Sequence, residues 1–120
     1  MTVIIKRVIA VLKKSKSISD LIINARGVFN SMTGNANFPP LDLSVQLPDF
    51  EIRINKLETA ETGFQQQPPT KTKAQRDDAR DLVNADLRKL LSDVQQKADD
   101  NPADAQEIIE SADMVVKKSS

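Results

Sequence analysis

KAQRDDARDLVNADLRKLLSDVQQKAD, residues 73–99, decides the fold. Ala79, Leu82, Val83, Leu87, Leu90, Leu91, Val94 and Ala98 recur along it at steps of three and four, the spacing of one face of an α-helix. Thr72, with Gln75 three positions on, forms a capping box at its start. At ~1.5 Å of rise per residue the helix is on the order of 40 Å long. An apolar stripe of that length must lie against other elements, and the predicted class is all-α.

Immediately before it, QQQPPTKTK (65–73) is a polar connection whose prolines end one helix and whose shortness makes the flanking helices antiparallel. That earlier helix is expected over about 48–64. Pro48 suits its first turn, Asp49 and Glu51 suit its positive end, and Leu47, Phe50, Ile54, Leu57 and Phe64 form its seam, with Ile52 off it. The helix over 73–99 is longer by several turns. Part of its stripe therefore needs cover from the first helix, the last helix or another molecule.

Further upstream, LDLSVQL (41–47) alternates apolar and polar residues as a short extended approach, and NANFPP (35–40) cannot be helical. Gly34 sits where a left-handed residue after a helix is wanted, and Phe38 is expected to plug the bundle end. From Ser17 to about Thr33 a first helix is predicted, with Ser19 as its cap, Asp20 in its first turn, Ile18 and Ile23 as a staple, and Leu21, Ala25, Val28, Phe29 and Met32 as its stripe. Residues 2–14 are rich in β-branched side chains, which favours a strand or extended arm. Ile4, Val8, Val11 and Leu12 at helical spacing leave helix as the alternative.

Downstream, Asn101 followed by Pro102 reads as a helix start, and Ala105, Ile108, Ile109 and Ala112 give the last helix its apolar face. Met114, Val115 and Val116 leave as an extended tail. No period of 20 to 50 residues repeats. The expected architecture is one antiparallel, up-and-down bundle of about four helices: an N-terminal arm over 1–16, the bundle over 17–114 and a tail over 115–120.

Composition narrows the chemistry. The 120 residues include no His and no Cys, so the commonest general base, the commonest zinc ligands, the thiol nucleophile and disulfides are all missing. Seventeen Lys and Arg balance seventeen Asp and Glu, but unevenly. Met1 to Pro40 holds six cations (Lys6, Arg7, Lys13, Lys14, Lys16, Arg26) against Asp20, a net +5, and the remainder holds eleven against sixteen, a net −5. Attraction between the two parts within one fold is the favoured reading; contact with different neighbours in an assembly is the other. No apolar run approaches the ~20 residues of a membrane span. Lys13, Lys14 and Lys16 follow the first apolar stretch where a signal peptide would need a cleavage site, so a cytoplasmic place, or one in an assembled particle, is expected.

Three groupings invite a functional reading, and each has a plainer one. Arg76, Asp77, Asp78, Arg80 and Asp81 put carboxylates beside guanidiniums, but in the first turns of an amphipathic helix they read as a solvated face with local ion pairs. Asp99, Asn101, Glu107 and Glu110 match four positions of an EF-hand loop. Asp104 stands where that loop needs glycine, however, and Pro102 starts a helix instead. Ser31, Thr33 and Gly34 lack the spacing of a phosphate-binding loop. No catalytic residue, cofactor site or metal site is expected. The basic stretch from Lys6 to Lys16 suits an anionic membrane or nucleic acid, but it lacks aromatic residues to anchor or stack. An arm that adds itself to a neighbouring subunit is the preferred reading.

The run SMTGNANFPP (31–40), two helical segments and AQRDDARDLVNADLRKLLSDVQQKADDNPADAQEIIESADMVVKK (74–118) resemble a group of uncharacterised helical-bundle proteins of Bacteroidota. Those proteins share a TGN-x-x-FP turn, an R-x-x-x-R helix start and an S-A-G-F tail, and some continue into a fibronectin type III-like domain. The resemblance covers about residues 17–118 and implies an attachment or interaction module without known activity. Ser111-Ala112-Asp113-Met114 departs from the tail pattern, which points to a free-standing subunit. The expected function is a non-catalytic structural or protein-interaction subunit of a bacterial or bacteriophage assembly, with a protein partner or self-association and no small-molecule substrate. The alternative is a peripheral membrane- or nucleic-acid-binding protein that uses the basic arm.

Overall fold

The computed structural model describes residues 7–117; Lys6 and the arm before it, and residues 118–120 of the tail, lie outside them. The long helix α3 spans Lys73–Asp100 and opens on the predicted capping box. The Thr72 hydroxyl accepts from the Gln75 amide at 3.1 Å, while the Gln75 side-chain oxygen accepts from the Thr72 amide at 2.8 Å. Against it lies α2, Leu47–Gln65, with Pro48 in its first turn. Ser44 meets Asp93, Arg53 meets Asp86 and Glu61 meets Arg76, so residue numbers rise along α2 as they fall along α3: the pair is antiparallel. Phe50, Ile54 and Leu57 are fully buried against Val83, Leu90 and Val94, and each such side chain contributes about 1.5–3 kcal/mol relative to exposure.

Leu82 departs from the expected stripe and is half exposed. The buried row runs through Val83, Leu87, Leu90, Val94 and Ala98, and a residue one position before Val83 is turned about 100° away from it. In the same row Asp86 is buried, and its carboxylate accepts from the Arg53 guanidinium at 2.7 Å. That contact holds the Arg53 guanidinium pKa above its ordinary value. It ties α2 to α3 in one register.

Helix α1, Ile18–Met32, is capped by Ser17 and not by Ser19. Ser17 precedes the first helical residue with an extended backbone, so its hydroxyl reaches the free Asp20 amide at 3.1 Å, whereas Ser19 is already inside the helix. Ile22 joins Leu21, Ala25, Val28 and Met32 in the core; Phe29 is only partly buried, and Ile23 is exposed, so no staple with Ile18 forms. Gly34 adopts the left-handed conformation at φ +71°, as its place after a helix demands. Beside it the Asn35 side-chain amide donates to the carbonyls of Ser31 and Ser111 and to the Ser111 hydroxyl, and its oxygen accepts from the Asn37 amide. Phe38 is buried, as expected.

Between Phe38 and α2 the approach is not wholly extended, because a 3-10 turn occupies Pro40–Asp42. Beyond it the alternation holds: Leu43, Val45 and Leu47 are buried and Ser44 and Gln46 exposed.

The far half of α3 is covered by the first and last described segments of the same chain, which removes length mismatch as a pointer to another molecule. Asn101 does not start the last helix. Its side-chain amide donates back to the Lys97 carbonyl at 3.0 Å, a 3-10 turn follows over Pro102–Asp104, and α4 spans Ala105–Ser111. Ala105, Ile108, Ile109 and Ala112 are buried there as predicted. The arm forms a strand, β1 (Ala10–Val11), antiparallel to β2 (Val115–Val116) from the tail, with Ala10 opposite Val116. On the other edge of β1, the Gln95 side chain accepts from the Ala10 amide and donates to the Val8 carbonyl, both at 2.8 Å. One carboxamide thus does the work of a third strand. Asp113 (φ +61°) packs so closely on Gly27 that a Cβ there would lie 2.1 Å from its carboxylate.

No described helix is long and apolar enough to cross a membrane. Asn35→Ala is expected to lower unfolding free energy by about 1–3 kcal/mol in urea titration, because it orphans the turn it satisfies. Arg53→Met, which strands the buried Asp86 carboxylate, is expected to cost about 1–3 kcal/mol, moderated by the partial exposure of Arg53. The Arg53→Met, Asp86→Leu double variant is expected to be more stable than Arg53→Met alone. The same titrations check both.

Candidate interaction surface

Of the polar groupings singled out along the sequence, the one at the start of α3 is brought together as an ion network and the other two are not gathered as sites. Arg76 stacks over the Phe64 ring at 4.2 Å from its centroid and lies 3.6 Å from Glu61 and 3.4 Å from Asp77. Arg80 reaches Asp77 at 3.6 Å and Asp81 at 3.2 Å. Cation and anion alternate through the cluster, the arrangement of a half-solvated ion network. Phe64 accordingly sits at the margin of the core, half-buried beneath a guanidinium.

The residues that matched an EF-hand are scattered. Asp99 binds Arg7, Asn101 caps α3, and Glu107 and Glu110 are exposed on α4. Among the described residues no group of three or more Asp or Glu side chains gathers as a metal site. Thr33 donates its hydroxyl to the Phe29 carbonyl at 2.6 Å, so the Ser31–Thr33–Gly34 grouping belongs to the end of α1.

Two of the arm's cations are paired with the acidic body. Arg7 makes two hydrogen bonds to the Asp99 carboxylate at 2.9 and 2.7 Å, and Lys13 bonds to Asp113. Arg26 adds a third link from the basic part of the chain, to Glu58 at 3.2 Å. Lys14 and Lys16 are exposed. Lys16 borders a hollow of about 420 Å³ between the arm, α1 and α3, whose other charges are Lys13, Arg80 and Asp113. Lys13 and Arg80 are already matched there, so the hollow carries little free charge.

A different surface stands out between α2 and α3. A groove of about 640 Å³ has Ala60 and Ala79 along its base, Ile52 and Leu82 as half-exposed walls, and Lys56 and Lys71 at its rim. Its origin is local: two small residues face each other where larger ones would interdigitate, and two large aliphatic residues lie just off the buried rows. Arg53 and Asp78 also border it, and Arg53 is neutralised by Asp86. With Lys56 and Lys71 set against Asp78, the rim is net positive. Half-exposed aliphatic walls inside a charged rim are the ordinary chemistry of a protein contact. The off-seam position of Ile52 was readable from spacing; that of Leu82 was hidden by its neighbour Val83.

The Asp99 carboxyl pKa is held below the usual range, chiefly by its hydrogen bond to Arg7, with a further contribution from Gln95. Because the folded-state value is lowered, the pair stabilises the arm above the ordinary carboxylate pKa and ceases to do so as pH falls through the depressed value. NMR titration is expected to find the Asp99 carboxyl protonating below the ordinary aspartate range. Asp99→Asn is expected to remove that part of the acid dependence of β1 docking, followed through the Ala10 and Val11 amides.

No family model, curated protein or solved structure matches the chain.

Proposed function

We propose that the protein is a non-catalytic interaction subunit whose contact face is the α2–α3 groove. The observation that carries this reading is the pairing of Ile52 and Leu82, two half-exposed aliphatic walls, with a rim that Lys56 and Lys71, set against Asp78, leave net positive. A face of this kind takes a partner's aliphatic side chain and holds acidic groups beside it, with the apolar contact supplying affinity and the charges supplying register and encounter rate. The cluster at the start of α3 supports the same reading, since Arg76 and Arg80 are matched there by Glu61, Asp77 and Asp81.

The setting proposed is a bacterial or bacteriophage assembly, in the cytoplasm or in an assembled particle. It rests on the likeness of the 31–40 turn and the 74–118 segment to helical-bundle proteins of Bacteroidota. The structure supplies a physical reason for that turn, with Gly34 left-handed, Asn35 latching α1 to α4 and Phe38 sealing the end.

A photocrosslinking residue placed at Leu82 in cells that express the chain is expected to yield a discrete crosslinked product, and one placed at exposed Gln106 on α4 none. Lys56→Glu is expected to reduce the Leu82 product about tenfold. Equal products from both positions, or none from Leu82, would contradict the assignment.

A further inference from the structure

The most exposed large aliphatic side chain among the described residues is Leu41, at 96%. It stands on the Pro40–Asp42 turn, which is held unusually firmly for a surface loop. Pro39 and Pro40 fix their own φ angles, and the Asp42 amide donates to the Pro39 carbonyl at 2.9 Å. The Gln46 side chain donates to the Pro40 carbonyl at 3.1 Å, and Phe38 and Leu43 are buried on either side. Leu41 is therefore presented on a prepared mount and loses little freedom on being bound.

Its surroundings are acidic. Asp42, Asp93 and Asp100 border the hollow beside this turn, with Lys97 as the opposing charge. The groove between α2 and α3 offers the reverse, an aliphatic slot with a net positive rim. The two features cannot meet within one molecule. Along α3 the acidic hollow touches Asp93, Gln96, Lys97 and Asp100, whereas the groove touches Gln75, Asp78, Ala79 and Leu82. From Leu82 to Gln96 is about 21 Å of helix.

We propose that the occupant of the groove is a second copy of this chain, which inserts Leu41 between Ile52 and Leu82 and sets Asp42 against Lys56 and Lys71. This rests on the reading of the groove as the contact face and adds the identity of what fills it. Knob and slot are different patches of one surface, so the contact is head-to-tail and not two-fold. A pair so formed keeps one unused knob and one unused slot, and the assembly grows into a ring or an open filament according to whether the rotation closes. The contact is small and its charges are solvated, so association is concentration-dependent and weakened by salt.

The decisive experiment is sedimentation equilibrium of the full chain up to millimolar concentration, with two single variants and their mixture. Leu41 makes almost no contact in the fold, so Leu41→Asp is expected to fold and melt like the wild type; Leu82→Glu is checked for folding by circular dichroism. The wild type is expected to rise above the monomer mass as concentration increases, and each variant alone to associate at least about tenfold more weakly. Mixed in equal amounts, the two variants are expected to form a dimer and nothing larger, because one supplies an intact slot and the other an intact knob. A wild type that stays monomeric at every concentration, a Leu41→Asp variant that associates as the wild type does, or a mixture of folded variants that stays monomeric would overturn the proposal. If the wild type is monomeric while a crosslinker at Leu82 still captures a different protein, the groove remains the contact face and only the second copy is excluded.

Discussion

A helix of 28 residues whose buried row runs from Val83 to Ala98 has to be covered along that row, and the rest of this molecule is arranged to do that. Helix α2, at 19 residues, covers the first part. Its packing is fixed in register by Arg53 reaching the buried Asp86, because any slip of α2 along α3 would strand that carboxylate in an apolar interior. The remainder is closed by elements too small to be stable alone: a seven-residue helix, a 3-10 turn and a two-stranded ribbon made from the two ends of the described chain. Each is held because α3 offers it a surface and because polar side chains complete its backbone pairing, Gln95 for β1 and Asn35 for the end of α4.

The uneven charge along the chain finds its physical expression here. The basic start meets the acidic body through Arg7 with Asp99, Lys13 with Asp113 and Arg26 with Glu58. These pairs are partly exposed, so their effect is on placement more than on total stability. The first two set the arm beside the end of α3 and the tail, where a few backbone hydrogen bonds finish the docking. Asp113, left-handed and pressed against Gly27, marks the tightest point of that docking.

Much of this architecture was legible in the sequence because it follows from local rules. The steps of three and four in α3, the Thr72–Gln75 capping box, the left-handed Gly34 and the burial of Phe38 each depend on residues close together in the chain. What was not legible depends on distant partners. Nothing near Asp86 says that it is buried, because Arg53 lies on another helix; nothing near Gln95 says that its carboxamide will edge a strand; and the pairing of the two ends needed the whole fold. Ser17 outcompeted Ser19 as the cap of α1 by starting the helix two residues earlier, and Val83 took the buried position that Leu82 was expected to share. The groove was illegible for the same reason, since it exists only where Ala60 and Ala79 come face to face.

Such a molecule keeps its chemistry at the surface. Its large apolar side chains are mostly enclosed, with Ile23, Leu41, Ile52, Leu82 and Val115 the exposed exceptions among the described residues, and the buried row along α3 is covered by the chain itself. That account depends on the first and last described segments closing the far half of α3, and native-state hydrogen exchange of α3 amides tests it most directly. The account predicts that Leu90, Val94 and Ala98 are protected to the same degree as Val83 and Leu87 in dilute protein. Rapid exchange at Val94 and Ala98 while Val83 and Leu87 stay protected would contradict it, because the far half of the stripe would then be open and waiting for another molecule.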